Sequence, residues 1–257
     1  SKLLVLWGNN PQETRMSGGG ITFTTAMAKK KGLKIIVVDP RYSDSASVLA
    51  DEWIALRPGT DTALIAAMVH VMLQENLHDQ AFLDAYCVGF DEEHLPAGAP
   101  KNASYRSYVE GKGPDGVEKT PEWAAEITGV PANQIRKFAR EVALAKPANI
   151  TQGWGPQRHA HGENQANAIY LLACVTGNVG IPGGGTGGRD GYYWPVTQWL
   201  DDGANPVQTQ ISCYTWTDAI ERGPEMTALA DGVRGRDRLE TGIKFMVFYG
   251  SAMGSSQ

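Results

Sequence analysis

Cysteine is scarce in this 257-residue chain: Cys87, Cys174 and Cys213 stand far apart and never form a C-x-x-C pair. Such an odd, scattered set encodes neither a disulfide framework nor a zinc or iron–sulfur site, and three buried or incidental thiols are the plainer expectation. Positive charge is short too. Lys and Arg number 23 against 28 Asp and Glu, a net charge of −5, so no basic stripe exists to neutralise a nucleic-acid backbone. No nucleic acid polymer is expected as a partner, while a single nucleotide stays possible. No apolar run approaches the roughly 20 residues that a bilayer-spanning helix needs, and the opening SKLLVLWGNN lacks the basic, apolar and cleavage regions of a signal peptide. The dinucleotide fingerprint G-x-G-x-x-G is missing, as is a Ser, His and Asp set around a nucleophile elbow.

What remains is ordinary globular composition, 42% hydrophobic and 20% charged, on a chain long enough to bury roughly three quarters of its unfolded surface. Near-continuous apolar runs occur at LLVLW, KIIVVD, WIALR, ANITQGW and IKFMVFYG, each bounded by Gly, Pro, Asp or Asn, as in parallel strands covered on both faces. Helical patterns lie between them over 20–31, 60–76, 79–86, 121–128, 131–146 and 163–179. Strands alternating with helices predict a three-layer α/β fold, a doubly wound and mostly parallel sheet, with ligands at the carboxyl ends of its strands. One such domain is expected over 1–257, interrupted by irregular excursions at 91–120 and 181–215. The second excursion opens IPGGGTGG and carries Tyr192, Tyr193, Trp194 and Trp199, too aromatic for a solvated linker. Because 3–7 and 243–251 both read as strands beside a terminus, both ends are expected to be cut points in a longer protein.

The strand ends carry the candidate chemistry. The first runs into Trp7, Gly8, Asn9, Asn10, Pro11, Gln12, Glu13 and Thr14, then Ser17-Gly18-Gly19-Gly20 at a helix start, where glycines admit close backbone approach and free N–H groups suit a phosphate. A plain strand-to-helix turn would look the same. The second ends Asp39-Pro40-Arg41-Tyr42-Ser43: Asp39 sits where a doubly wound fold binds a ribose, and Arg41 could grip a phosphate, unless the two only pair with each other. Gly59, Thr60 and Asp61 follow the third, and Asp61 either accepts the N1–H and 2-amino group of guanine or caps its helix. The loop Gln152-Gly153-Trp154-Gly155-Pro156-Gln157-Arg158-His159-Ala160-His161 gathers an indole, an amide and a guanidinium, groups that line oxygen-bearing substrates and pterin edges. His159 and His161 form a poor metal site with no third ligand of matching character nearby, and no metal ligand is assigned.

In this order and spacing the motifs resemble the dimethyl sulfoxide reductase family of molybdopterin oxidoreductases, in particular the catalytic A subunits of bacterial anaerobic dimethyl sulfoxide reductases. GNNPQETRMSGGGIT, DEWIALRPGTDTAL, YCVGFDEEHLPAGAPKN, KTPEWAAEITGVP, QGWGPQRHAHGE, TGNVGIPGG and WTDAIERGPEMTALADGVRG carry the likeness, which spans nearly the whole chain. The resemblance implies a Rossmann-like portion that grips one arm of a bis(molybdopterin guanine dinucleotide) molybdenum cofactor, in a parent enzyme that reduces a small S- or N-oxide by oxygen-atom transfer. Carried over, Trp7 to Thr14 form the pterin and phosphate loop, Asp39, Pro40, Arg41 and Ser43 contact ribose and phosphate, and Gly59 to Asp61 read guanine. Gly153 and Gln157 approach the pterin, Trp154 shapes the substrate pocket, and Arg158 polarises the oxide oxygen or holds the pterin. The resemblance puts the side chain that ligates molybdenum, and the cysteines of a parent 4Fe-4S cluster, before residue 1. It also implies an iron–sulfur electron-transfer subunit, a membrane anchor subunit, and a complex peripheral to the bacterial cell membrane after export by the twin-arginine route. Gly250 to Gln257 departs from the family's A-G-N-x-x-x-N-Q, with Ala252 and Ser256 in place of amides.

Overall fold

The computed structural model describes residues 1–14, 20–186, 203–204 and 206–247. The turn at 15–19, residues 187–202 and 205 of the 181–215 excursion with Tyr192, Tyr193, Trp194 and Trp199, and the departure at 250–257 lie outside the described residues.

Four apolar runs form one sheet: β1 (Leu3–Trp7), β2 (Lys34–Val38), β3 (Glu52–Ile54) and β4 (Ala148–Gln152). All pairings are parallel, in the order β3-β2-β1-β4. The alternating side chains divide between two cores. Leu3, Val5, Trp7, Ile36 and Val38 face one core, which holds α4 (Asp61–Gln74), α7 (Pro121–Thr128), α8 (Ala132–Leu144) and α9 (Gly162–Val175). A single turn, α1 (Pro11–Thr14), follows β1; Leu6, Ile35 and Val37 face the other core, with Ala26 of α2 (Gly20–Lys30) and Ala46 of α3 (Asp44–Val48). Helices on both faces of a parallel sheet make the expected three layers. Each Leu, Ile or Val withdrawn from water contributes roughly 1.5–3 kcal/mol, so strands this buried are held by both faces at once.

Local sequence explains the helices. In α8 the buried set Ile135, Phe138, Ala139, Val142 and Ala143 recurs at helical spacing. In α7 Thr120 accepts the N–H of Trp123, Pro121 occupies the first turn, and Gly129 closes the helix at φ 77°. Helix α5 (Gln80–Tyr86) is capped by Asp79, which accepts the N–H of Phe82.

The structure departs from expectation in places. The third strand stops at Ile54 because the Arg57 N–H donates to the Thr128 carbonyl, drawing the chain from the sheet towards α7. The 91–120 excursion contains α6 (Tyr105–Val109) and is not merely superficial. Val109 is fully buried, and Lys119 is buried against Asp115 with its ammonium 4.2 Å from the centre of the Tyr108 ring. The run IKFMVFYG is no strand over 243–247: Ile243 donates its N–H to Ala219, while Phe245 and Val247 are exposed. Residues 248–250 of that run lie outside the described residues.

Internal contacts divide the chain into two compact units, 1–193 and 194–257. The first contains the sheet. In the second, α10 (Trp216–Arg222) and α11 (Ala228–Asp231) surround a small core of Ala219, Met226 and Val233.

Candidate functional site

Parallel register brings the strand ends level. Trp7 pairs with Val38 and Gln152, and Val38 with Ile54, so the loops after all four strands leave from one edge. Beyond the strands the stitching continues: Gly8 N–H donates to the Val38 carbonyl, Asp39 N–H to Ile54, and Gly153 N–H to Trp7. The chain proceeds from β1 towards β3 on one side and adds β4 on the other, which makes the gap between the β1 and β4 loops the topological switch point, where doubly wound folds bind ligands.

Two cavities open there. The first, about 370 Å³, is lined by Gly8, Asn9, Asn10, Glu13, Thr14, Arg41, Gly153, Trp154 and Gly155. The second, about 250 Å³, is lined by Gly8, Val38, Asp39, Pro40, Leu56, Pro58, Gly59, Asp61, Gly155, Pro156 and His159. Gly8 and Gly155 belong to both. The wall between them needs glycine: at Gly8 (φ +54°) a Cβ would fall 2.5 Å from Pro156 Cδ, and at Gly153 it would fall 2.1 Å from the Gly8 carbonyl oxygen.

In the first cavity the two asparagines differ. Asn10 Oδ1 accepts from the Ser45 N–H and hydroxyl, and its Nδ2 donates to Glu13 Oε2 at 2.7 Å, so it ties the β1 loop to α3. Asn9 is buried, and its Oδ1 has no hydrogen-bond partner. A buried acceptor left open is costly, and here it borders a cavity that a donor-bearing ligand could enter. Arg41 pairs with Glu13 across the loops, not with Asp39, and that carboxylate raises the pKa of the guanidinium further.

In the second cavity Asp39 Oδ1 accepts the Arg41 backbone N–H at 2.8 Å, an Asx turn that fixes the carboxylate. Asp61 is 5% exposed, and its Oδ1 accepts the Trp7 indole N–H at 2.6 Å. Burial pushes both carboxyls above the ordinary aspartate range, against the hydrogen bonds that each receives. Thr60 holds the cap position of α4 but donates its hydroxyl to the Arg57 carbonyl, and the Asp61 carboxylate accepts its own backbone N–H at the helix start as well as the indole.

Most of the expected site residues converge, but Trp7, Ser43, Thr60, Gln157 and Arg158 line neither cavity, nor do Pro11 and Gln12 of the β1 loop. Trp7 is fully buried beneath the edge, so its indole reaches Asp61 and no ligand. The Ser43 hydroxyl accepts the Ala46 N–H and caps α3, and Thr60 is engaged as described. Gln157 and Arg158 are exposed, with the Arg158 guanidinium 5.5 Å from the centre of the Trp154 ring. Sequence reasoning missed Gly155, Pro156 and His159 as lining residues. A Gly-Pro step directly after a strand was the available signal, since it is the kind of turn that brings backbone close to a ligand.

The molybdopterin oxidoreductase family profile matches residues 1–246. The chain belongs to that family. It is 59% identical over 250 residues to the dimethyl sulfoxide reductase DmsA of Escherichia coli K12, a match that covers 97% of this chain and 31% of that protein. It is 36% identical over 191 residues to a trimethylamine-N-oxide reductase of Vibrio parahaemolyticus, covering 71% of this chain and 22% of that one. Among solved structures, acetylene hydratase from Pelobacter acetylenicus superposes with a TM-score of 0.54 at 28% identity, over 70% of this chain and 22% of that chain. The chain therefore spans about a third of the length of the curated dimethyl sulfoxide reductase relatives that it matches over nearly its whole length. Membership implies a molybdenum–molybdopterin cofactor, and the residues present fit a pterin: an open buried amide oxygen, a cradle that a Cβ would fill, and an indole at the rim.

Proposed function

We propose that this chain grips one guanine nucleotide arm of a bis(molybdopterin guanine dinucleotide) cofactor, in a parent enzyme that reduces small S- or N-oxides. The observation that carries the reading is the pair of cavities sharing the Gly8 and Gly155 wall at the switch point of the sheet. Bound there, the molybdenum–dithiolene group supplies two-electron oxygen-atom-transfer chemistry, and the protein supplies position and electrostatics. Asn9 Oδ1 accepts from a pterin N–H. Arg41 exchanges its Glu13 partner for a phosphate oxygen, and Asp39 takes a ribose hydroxyl. Asp61 accepts from guanine, whose adjacent N–H donors adenine cannot match. Trp154 lines the first cavity and bounds the space left for substrate, with Arg158 stacked over it to meet the oxide oxygen or the pterin.

Fold alone does not select the reaction, because a hydratase superposes on this chain; the sequence likeness to dimethyl sulfoxide and trimethylamine-N-oxide reductases favours oxide reduction. The same likeness supports a parent that carries a 4Fe-4S cluster and works with an iron–sulfur electron-transfer subunit and a membrane anchor subunit. On that reading the complex is peripheral to the bacterial membrane after twin-arginine export. The direct test is to purify the full-length protein from anaerobic, molybdate-fed cells. Molybdenum, GMP released on acid hydrolysis, and viologen-coupled reduction of dimethyl sulfoxide or trimethylamine N-oxide are expected. Guanine nucleotide without molybdenum would end the redox reading.

A further inference from the structure

Trp7 is a side chain that the cofactor cannot touch. It ends β1, pairs on both sides with Val38 and Gln152, and packs with its ring centre 6.0 Å from that of Phe138. A Leu or Ile would satisfy the packing of such a position. An indole brings one polar atom, a donor with no acceptor capacity, and in this interior that donor needs a partner. Its partner is Asp61 Oδ1, at 2.6 Å.

We propose that Trp7 is the positioning residue for base selection: its indole N–H holds one oxygen of Asp61 so that the carboxylate meets guanine in a single orientation in the second cavity. This rests on the guanine-binding reading above and goes beyond it, because it assigns the selectivity to a residue with no ligand contact.

Three observations support it. Thr60 makes no side-chain cap, and the Asp61 carboxylate also accepts its own backbone N–H at the start of α4, so an untethered carboxylate could turn wholly onto that amide. Asp61 is buried beside a second carboxylate in the same cavity, Asp39, and both features favour protonation of Asp61. The indole hydrogen bond opposes both escapes, since a donor to the charged form holds it charged and a fixed ring holds it oriented. A rotated Asp61 would no longer face the base, and a protonated one would no longer be the pure acceptor that distinguishes guanine from adenine.

The test uses the full-length protein prepared without cofactor, titrated calorimetrically with GDP, ADP and inorganic pyrophosphate. Wild type should prefer GDP to ADP. In Trp7→Phe, which keeps an aromatic ring but loses the donor, that preference should fall about tenfold, as expected for one hydrogen bond to a charged group. Pyrophosphate affinity should stay as in wild type, and Trp7→His, which restores a ring N–H, should recover part of the preference. An unchanged GDP-to-ADP ratio in Trp7→Phe overturns the proposal while leaving the guanine reading intact. A wild-type protein that binds both nucleotides equally removes the guanine reading and the proposal together. Should the Trp7 variants fail to fold, tryptophan-labelled wild type decides. An indole N–H resonance that moves in Asp61→Asn and again on GDP, but not on pyrophosphate, supports the assignment; the absence of any such resonance rejects it.

Discussion

The cavity between the β1 and β4 loops is edged by an ion pair that stands largely in water, Glu13 with Arg41. The cavity over β2 and β3 is lined by carboxylates that the fold has partly or almost wholly withdrawn from it, Asp39 and Asp61, each already held by a donor. Only a wall of backbone separates them. Exposed charges are adjustable and screened by salt, whereas buried hydrogen-bonded ones are set before a ligand arrives and costly to rearrange. On the proposed reading this division suits a dinucleotide: the base, which must be told from other bases, meets the preset cavity, and the phosphates and pterin meet the adjustable one.

The largest effect should come from breaking the shared wall. A Cβ in Gly153→Ala would sit 2.1 Å from the Gly8 carbonyl oxygen, and neither backbone can retreat without straining the bonds that stitch β4 to β1. Overpacking against backbone at this level costs about 3 kcal/mol, which in a protein of this size lowers Tm by roughly 10 °C. A melt within 2 °C of wild type would show the wall to be softer than its geometry.

Next comes the preset cavity. Asp61→Asn turns half of an acceptor into a donor, and GDP affinity should fall about 30-fold, the worth of roughly 2 kcal/mol of hydrogen bonding to a charge. ADP affinity should hardly change. The loss should persist in 1 M salt, because a group this buried is poorly screened; a deficit that disappears with salt would place Asp61 among the exposed charges.

A pH series sharpens the same point. Burial raises the folded-state pKa of Asp61 above the ordinary aspartate value of 3.8, so in the window just above 3.8 the folded protein binds a proton that the unfolded chain does not. Stability is then greatest below the window and declines as pH rises through it. Carboxylates such as Asp79 and Asp91, whose pKa values are lowered by their partners, slope the other way, so the useful quantity is wild type minus Asp61→Asn. That difference in denaturant midpoint should fall from pH 4 to pH 7, and parallel curves would contradict the burial argument.

The sheet was legible in advance because burial on both faces forces unbroken apolar runs, and α7 because its helical pattern over 121–128 stands at the bounds the helix takes. IKFMVFYG carried the same apolar signal without becoming a strand over 243–247, since composition cannot say whether a partner strand is waiting. The site was legible to the level of its loops and no further. Asn9 and Asn10 are identical neighbours, yet one is tied to Ser45 and Glu13 while the other is buried with an open oxygen. Ser43 read as a ligand contact and caps a helix instead; Trp7 read the same way and reaches only Asp61. For Asn10 and Trp7 these fates are decided by partners brought together from 35 and 54 positions away, whereas the Ser43 cap is local and closes on Ala46.

The smallest effect tests the adjustable cavity. Glu13 occupies the guanidinium that would hold a phosphate and adds a negative charge beside it, and Asn10 steadies it there. Asn10 and Arg41 donate to the same Glu13 oxygen, so Glu13→Gln can keep both contacts through its amide oxygen but removes the negative charge beside Arg41; pyrophosphate affinity at low salt should rise about threefold, the modest scale of an exposed pair. In 1 M salt, where the screening length shrinks to roughly 3 Å, the two proteins should bind alike. An unchanged affinity at low salt would mean that Arg41 does not meet the phosphate. A gain that survived 1 M salt would mean that the first cavity is as preset as the second, and the contrast between them would be one of size alone.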